Sequence, residues 1–383
     1  MTGGGTGLGA GASSLTDGEL REIATRKAAG ETWAQIDAAL GRTCKDAWLR
    51  AGKNGARERA LGGEGETIAP PPAPVEAPAR PVPVVQRMTV ASATRPAPTA
   101  DLVSHSQSAH TIRIRARRTP QWEQWILLTA DHHWDHPDCD RDLLAYHLDL
   151  AADRGAGAMV FGDLYCAMQS RDDRRGGKSS IRPEHQTAHY LDALINTGVD
   201  WYAPWADRLW LVSDGNHETA VHKRLETDLV ARLCEGLQRQ HKSPVMRGSY
   251  RGFCTLLLDD GQTVQPIKLF WDHGSGGGGI VTKGVIQTNR RAAYVDADIV
   301  VTGHVHERWV LELSRQGVTD DGTPYKARQT HVCCSTYKDE GISGNGWHVE
   351  TGKPPKPLGG WWLRLTWSQR IGRVQWQLME VES

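Results

Sequence analysis

The sequence predicts an α/β protein whose buried strands end on metal-ligand side chains. Three observations lead there. Five short apolar runs stop at or just before motifs rich in Asp, Asn or His: Asp131-His132-His133, Gly162-Asp163, Gly215-Asn216-His217-Glu218, His273-Gly274 and Gly303-His304-Val305-His306. Segments with helical spacing lie between some of these runs, as at 140–153, where Leu143, Leu144, His147 and Leu148 recur. A Pro-rich stretch separates this region from a small helical segment near the N-terminus.

The N-terminal elements come first. Residues 1–14 are Gly-rich and expected to be disordered. Thr16 and Glu19 have the T-x-x-E form of a capping box, in which hydroxyl and carboxylate satisfy the first orphan N–H groups of a helix. Leu20, Ile23 and Ala24 follow at helical spacing, and Gly30 can end that helix. Thr32 can cap a second helix with Trp33, Ile36, Ala39 and Leu40. Gly41 makes the turn, and Thr43 can cap a third helix with Ala47 and Trp48 facing inward. The third helix and its exit carry Arg42, Lys45, Arg50, Lys53, Arg57 and Arg59 against Asp46 and Glu58. The pattern over 33–47 resembles a helix-turn-helix or Myb-like module, with Asp37 where such modules have a small apolar residue. For residues 15–59 the resemblance implies DNA binding through Arg42, Lys45, Arg50 and Lys53. The alternatives are a three-helix bundle that binds protein and a merely solvated basic face.

Residues 60–110 read as a linker. Pro70, Pro71, Pro72, Pro74, Pro78, Pro81, Pro83, Pro96 and Pro98 favour extended polyproline conformations. From 80 to 118 there are seven Arg and only Asp101 as an acid, so the tether can add sequence-independent affinity for phosphate backbones. A plain solubilising spacer is the alternative.

Residues 111–383 then form the catalytic domain. The stretch 112–117 alternates apolar residues with Arg and reads as its opening strand. The runs 125–130, 158–161, 209–212, 267–271 and 298–302 read as buried strands, because each is apolar, short and bounded by Gly or polar residues. Ligands of open α/β sheets collect beyond the carboxyl ends of strands, where all five motifs fall. The polar stretch 169–182 reads as a loop beside the site, whose Arg and Lys either grip a polyanion or are merely solvated. A helix is expected near 219–238. The Gly run 274–279 beside His273 lets backbone approach phosphate oxygens, or serves as a hinge. Lys283 and Arg290-Arg291 follow as candidate phosphate contacts, and Asn216 is a further one. In the tail, 363–367 and 374–378 alternate as strands. Trp347, Trp361, Trp362, Trp367 and Trp376 are expected to pack there, with base stacking as the alternative.

The residue types specify the chemistry. Two divalent ions roughly 3.5–4 Å apart can clamp a phosphate, lower the pKa of water and stabilise a leaving oxygen. Such a pair needs a bridging carboxylate with imidazole and amide ligands around it. The motifs offer two Asp, one Asn and four His for this. No Cys belongs to them, which argues against a thiolate-bound structural zinc. His132, Asp135, His136, His147, Asp272, His331 and His348 are left unassigned to metal.

The five motifs, over residues 124–310, resemble the calcineurin-like metallophosphoesterase superfamily. The resemblance implies a four-layer αββα sandwich of two mixed sheets. It implies one ion held by Asp131, His133, Asp163 and His306, and a second by Asp163, Asn216, His273 and His304. Asp163 would bridge, and His217 would contact phosphate or act as the acid. Manganese is the first choice for both ions, with iron, zinc or magnesium as alternatives. One departure stands out: many members carry G-D-x-x-D, whose second Asp orients the catalytic His, and this chain has Cys166 there.

The remaining bounds are broad. The formal net charge is +0, so bulk charge names no partner. Seven Cys without recurring spacing argue against a disulfide framework. No run reaches the roughly 18–20 apolar residues of a membrane span, and the N-terminus lacks a basic-then-apolar leader. The expectation is a cytoplasmic enzyme that hydrolyses phosphodiesters in nucleic acid, tethered to DNA. The runner-up hydrolyses phosphomonoesters, small nucleotides or phosphoproteins and uses the N-terminal module for recruitment. A third class is a DNA-binding or assembly protein that keeps the metals for structure, against which the intact ligand set argues. Nothing in the sequence specifies an oligomer.

Overall fold

The structure is a computed structural model that describes residues 15–41, 43–53, 100–168, 181–277, 279, 281–340 and 347–382. The expected disordered start, most of the expected linker, Arg42, Arg57, Arg59 and residues 169–180 lie outside the described residues. So do the side chains of Arg50, Lys53, Trp347 and His348. The chain divides into two compact units, Met1–Val90 and Ala91–Ser383.

The first unit holds helices α1 (Asp17–Ala28), α2 (Trp33–Leu40) and α3 (Lys45–Lys53). The Thr16 N–H donates to Glu19 Oε2 at 2.7 Å while the Glu19 N–H donates to Thr16 Oγ1 at 3.3 Å. Thr32 and Gln35 repeat this box on α2, and Gly41 ends that helix at φ 64°. The third helix starts at Lys45, later than a Thr43 cap would place it. Instead the Asp37 carboxylate accepts the Cys44 N–H at 2.8 Å, so the residue that departs from the pattern closes the turn. Leu20, Ile23, Ile36 and Cys44 are buried with Trp33 and Trp48 packed against them.

The second unit is a mixed α/β fold with two sheets. Its strands are β1 (Ala100–Ser106), β2 (Ala109–Arg115), β3 (Glu123–Thr129), β4 (Gly157–Phe161), β5 (Leu209–Ser213), β6 (Met246–Gly248) and β7 (Arg251–Asp259). There follow β8 (Val264–Asp272), β9 (Ile299–Thr302), β10 (Trp309–Val318), β11 (Pro324–Cys333), β12 (Trp361–Ser368) and β13 (Arg373–Glu380). The helices are α4 (Arg141–Asp153), α5 (Tyr190–Tyr202), α6 (Asn216–Leu225), α7 (Leu229–His241), α8 (Ile286–Ala292) and the single turn α9 (Trp347–Glu350). One sheet is ordered β1-β2-β7-β8-β9-β11-β10 and the other β13-β12-β3-β4-β5-β6. Strands β3 to β6 are parallel, and β12 runs antiparallel to β3.

The apolar runs are continuous because these strands are buried on both faces. In β3, Ile126 and Leu128 enter a core shared with Leu256, Leu269 and Ile299 of the other sheet. Leu127 points the other way, into a core with Leu144 and Leu148 of α4, Leu194 of α5 and Leu233 of α7. On the far side of the seven-stranded sheet, Val295 and Ala297, just after α8, pack with Phe270 and Val300. The tail Trp residues follow the packing expectation where described: Trp361 and Trp362 are buried, and Trp367 and Trp376 pack against the inter-sheet core.

Two boundaries differ from the sequence reading. The expected linker to 110 gives way to strand at Ala100, because β1 and β2 pair antiparallel and β2 continues the sheet onto β7. The expected helix near 219–238 is two helices. Glu226 leaves α6 in the left-handed region, and Asp228 caps α7 through the Ala231 N–H at 2.8 Å.

Candidate metal centre

Strands β3, β4 and β5 of one sheet and β8 and β9 of the other deliver their carboxyl ends to one place. The sequence pointed to five strand ends; that they belong to two sheets is decided by the packing between them. The backbone bends sharply there. Asp131 (φ 52°), His133 (φ 44°), Asp163 (φ 49°), His304 (φ 70°) and His306 (φ 55°) all occupy the left-handed region. Non-glycine residues rarely adopt it, and such strain concentrates at functional sites. Gly303 is needed for space: a Cβ there would stand 2.4 Å from Asp131 Oδ2.

The side chains form two groups. Asp131, His133 and His306 have ligand atoms mutually within 4.8 Å, and so do Asp163, His273 and His304. In the first group His133 Nε2 lies 3.1 Å from His306 Nε2, and Asp131 Oδ1 lies 3.3 Å from His306 Nε2. In the second, His273 Nε2 lies 3.1 Å from Asp163 Oδ2. Asn216 Oδ1 lies 2.6 Å from His304 Nδ1 and 3.2 Å from His273 Nε2. Ligands roughly 2.0–2.2 Å from a metal stand about 3–3.5 Å from one another, and most of these spacings fall there. All seven expected ligands are thus brought together, with the Asp163 carboxylate grouped with His273 and His304. Cys166 comes closer than its motif position implied: its thiol is within 4.8 Å of ring nitrogens of His133 and His217.

The electrostatics favour a cation. Asp131 Oδ1 is buried without a hydrogen-bond partner among the described residues, an arrangement that is costly unless a positive group completes it. Burial, with His217 and His306 nearby, holds His133 well below the usual histidine range. Burial, then His273, lowers His304. Both rings therefore keep lone pairs for a metal. Burial opposes charge on Asp163, but His273, His217 and His133 outweigh it and hold its carboxyl well below the usual range. Its partner His273 is pushed up to about 10, since the Asp163 charge and hydrogen bond overcome burial. An all nitrogen-and-oxygen donor set of this kind suits manganese, iron or zinc.

His217 stands beside both groups. Its N–H donates to Asp163 Oδ1 at 3.0 Å, and its Nε2 lies 3.8 Å from Asp163 Oδ2. The expected lack of an orienting partner is corrected by the backbone. Nδ1 lies 2.6 Å from Cys166 O, so a backbone carbonyl holds the ring nitrogen.

The other candidate contacts have partners or exposure of their own. Lys283 Nζ is 4.0 Å from Glu307 Oε2, Arg290 is exposed, and Arg291 is buried in an ion pair with Asp272 at 3.1 Å. Arg182 donates to the carbonyls of His136, Pro137 and Cys139, which occupies it structurally. In the first unit Lys45 is exposed at the start of α3.

Sequence reasoning gave no role to several residues that build the site. Glu218 accepts the N–H groups of Asp163, Tyr165 and Gly215 at 3.2, 2.8 and 2.9 Å, tying the second motif to the third. Thr336 Oγ1 and the Tyr337 N–H both donate to Asp131 O. Lys338 is buried, pairs with Glu340, and its charge bears on His133 and His136. Only Glu218 lay inside a recognised motif; the others come from a strand end 200 residues away and leave no local signal.

No family model and no curated protein matches this sequence. Among solved structures, it is similar to a conserved uncharacterised protein, a predicted phosphoesterase, from Streptococcus pneumoniae. Identity there is 11% with TM-score 0.26, over 68% of this chain and 99% of that one. A Thermotoga maritima protein matches at 11% and 0.26, over 67% of this chain and 99% of the other. A metallophosphoesterase from Sphaerobacter thermophilus matches at 13% and 0.29, over 68% and 89%. At such identities and scores the likenesses carry no weight for chemistry, which rests on the site. Among the described residues, no helix is long and apolar enough to cross a membrane.

Proposed function

We propose that this chain is a dinuclear metal-dependent phosphoesterase that acts on phosphodiesters in nucleic acid, with its N-terminal helices as a DNA tether. The observation that carries the catalytic part is the meeting of two three-residue ligand groups beside His217. Asp131, His133 and His306 would hold one ion, and Asn216, His273 and His304 the other, with Asp163 shared between them. Bound there, a divalent pair supplies Lewis acidity and a water of lowered pKa.

The chain's own residues do the rest. Asp163, kept ionised by the surrounding imidazoles, offers a fixed negative charge to two cations. His217, tied at Nδ1 to Cys166 O, presents Nε2 toward the site; as an imidazolium protonated at both nitrogens it can hand the Nε2 proton to the leaving oxygen and keep the one on Nδ1. Lys283 and Arg290 remain candidate contacts for a phosphate backbone. The nucleic-acid preference is supported by the three helices at residues 17–53 and the basic residues Arg42, Lys45, Arg50 and Lys53 in their sequence.

The test uses the full-length chain with Mn²⁺. Turnover of bis(p-nitrophenyl) phosphate and of DNA is compared with that of p-nitrophenyl phosphate. DNA binding is measured across a salt series beside a variant with Lys45, Arg50 and Lys53 changed to Ala. The reading expects diesters to be preferred and the salt slope to flatten by about one unit per lost phosphate contact. Preference for monoesters, with identical slopes in both proteins, would favour the phosphatase with a recruitment module.

A further inference from the structure

We propose that Asp135 is the positioning residue for His217, acting through the peptide that joins Cys166 to Ala167. The proposal rests on the catalytic reading above and says how this chain manages without the usual second carboxylate.

The argument starts at the imidazole. His217 Nδ1 lies 2.6 Å from Cys166 O. A carbonyl only accepts, so Nδ1 keeps a proton in either state of the ring, and Nε2 is the atom whose proton can move. A carbonyl can hold a ring only as firmly as its own loop is held. This loop is irregular chain after β4, and Ala167 sits at φ 50°, a conformation alanine rarely adopts.

Asp135 secures it. Oδ1 accepts the Cys166 N–H at 2.5 Å, and Oδ2 accepts the Ala167 N–H at 2.9 Å and the Tyr190 hydroxyl at 3.3 Å. The residue is only 3% exposed, so these charge-assisted bonds form away from water, where they are strong. The Ala167 N–H and the Cys166 C=O belong to one trans peptide and point in opposite directions. Gripping the N–H on one side therefore aims the carbonyl at His217 on the other. A carboxylate four residues beyond Asp131 thus orients the histidine at second hand.

Four variants of the full-length chain test this: Asp135→Asn, His217→Asn, the double variant, and Tyr190→Phe. An amide in place of the carboxylate turns an NH₂ toward one of the two N–H groups and opens the fork. Asp135→Asn should lower kcat about 10–100-fold, the usual effect of losing a residue that supports a catalytic one. KM and metal content should stay within about two-fold of wild type. In the His217→Asn background the same change should alter kcat by less than about two-fold, because its effect passes through the ring. Nitrogen-15 histidine spectra of the Zn²⁺-loaded proteins give a readout free of turnover. Wild type should show His217 protonated at Nδ1, and Asp135→Asn should show that tautomer mixed or lost. Tyr190→Phe should move both measurements the same way by less, and it decides the matter if Asp135→Asn does not fold. Multiplicative losses in the double variant, or an unchanged His217 tautomer, would overturn the proposal. A wild type without phosphoester turnover would sink the catalytic reading instead, while the spectra would still decide the role of Asp135.

Discussion

Replacing Gly215 by Ala should cost the protein a metal ion before it costs the fold. Gly215 has φ −113° and ψ −171°, extended backbone that any residue adopts, so only space demands glycine there. A Cβ would stand 2.0 Å from Asp163 Oδ1 and 2.3 Å from Asp163 N. Ordinary contact begins at 3.4 Å. The Asp163 backbone and its carboxylate must therefore shift together, the oxygen by about 1.4 Å, the difference between 3.4 and 2.0 Å, whereas a metal site tolerates errors of about 0.2 Å. Overpacking of this kind also costs about 1–3 kcal/mol of stability. Gly261→Ala is the control. It sits at φ 84° with nothing within 4 Å, so it costs about 1–2 kcal/mol of backbone strain and leaves the site alone. Denaturant unfolding in EDTA measures the two stability losses, and elemental analysis after dialysis against Mn²⁺ counts the ions. The expectation is comparable destabilisation, with metal lost only from Gly215→Ala. A Gly215→Ala protein with wild-type metal stoichiometry and affinity would refute the reasoning, because Asp163 would then not be a ligand.

Asp163→Asn should abolish turnover and weaken both metal sites, whereas His217→Asn should lower kcat about 10²–10⁴-fold and keep its metal; equal metal loss by elemental analysis would reassign His217. Glu218→Gln should destabilise by about 1–3 kcal/mol, since an amide cannot accept all three N–H groups of Asp163, Tyr165 and Gly215; an unchanged unfolding midpoint would contradict that. The metal-free protein should be most stable near pH 6.5. His273 is raised to about 10 by Asp163, so its contribution is complete below its unfolded value of about 6.5 and is lost as pH climbs toward 10. His132 and His136, held at about 3 chiefly by burial, act oppositely, and their contribution is lost as pH falls below about 6.5. Thermal melts in EDTA across pH 4–10 check both arms, and a melting temperature rising steadily from 7 to 10 would exclude the His273–Asp163 pair. For the same reason Zn²⁺ binding at pH 7.5 should release about one proton from His273, measured by calorimetry in buffers of different ionisation heat.

The sequence by itself marked the candidate ligands. Asp131, His133, Asp163, Asn216, His273, His304 and His306 were legible because each follows a short apolar run, and a strand buried on both faces leaves a continuous local signal in its own residues. The caps at Thr16 and Thr32 were legible for the same local reason. The tertiary structure decided what depends on contacts across long sequence separations. It split the five strands between two sheets and carried the seven-stranded sheet back to Ala100, where β1 pairs with β2 and β2 with β7. It placed Asp37 on the Cys44 N–H and broke the expected helix at Glu226. It also turned the missing carboxylate at Cys166 into a backbone carbonyl held by Asp135. Such roles are invisible in sequence because a peptide N–H or C=O is the same at every position, and only folding chooses which of them faces a histidine.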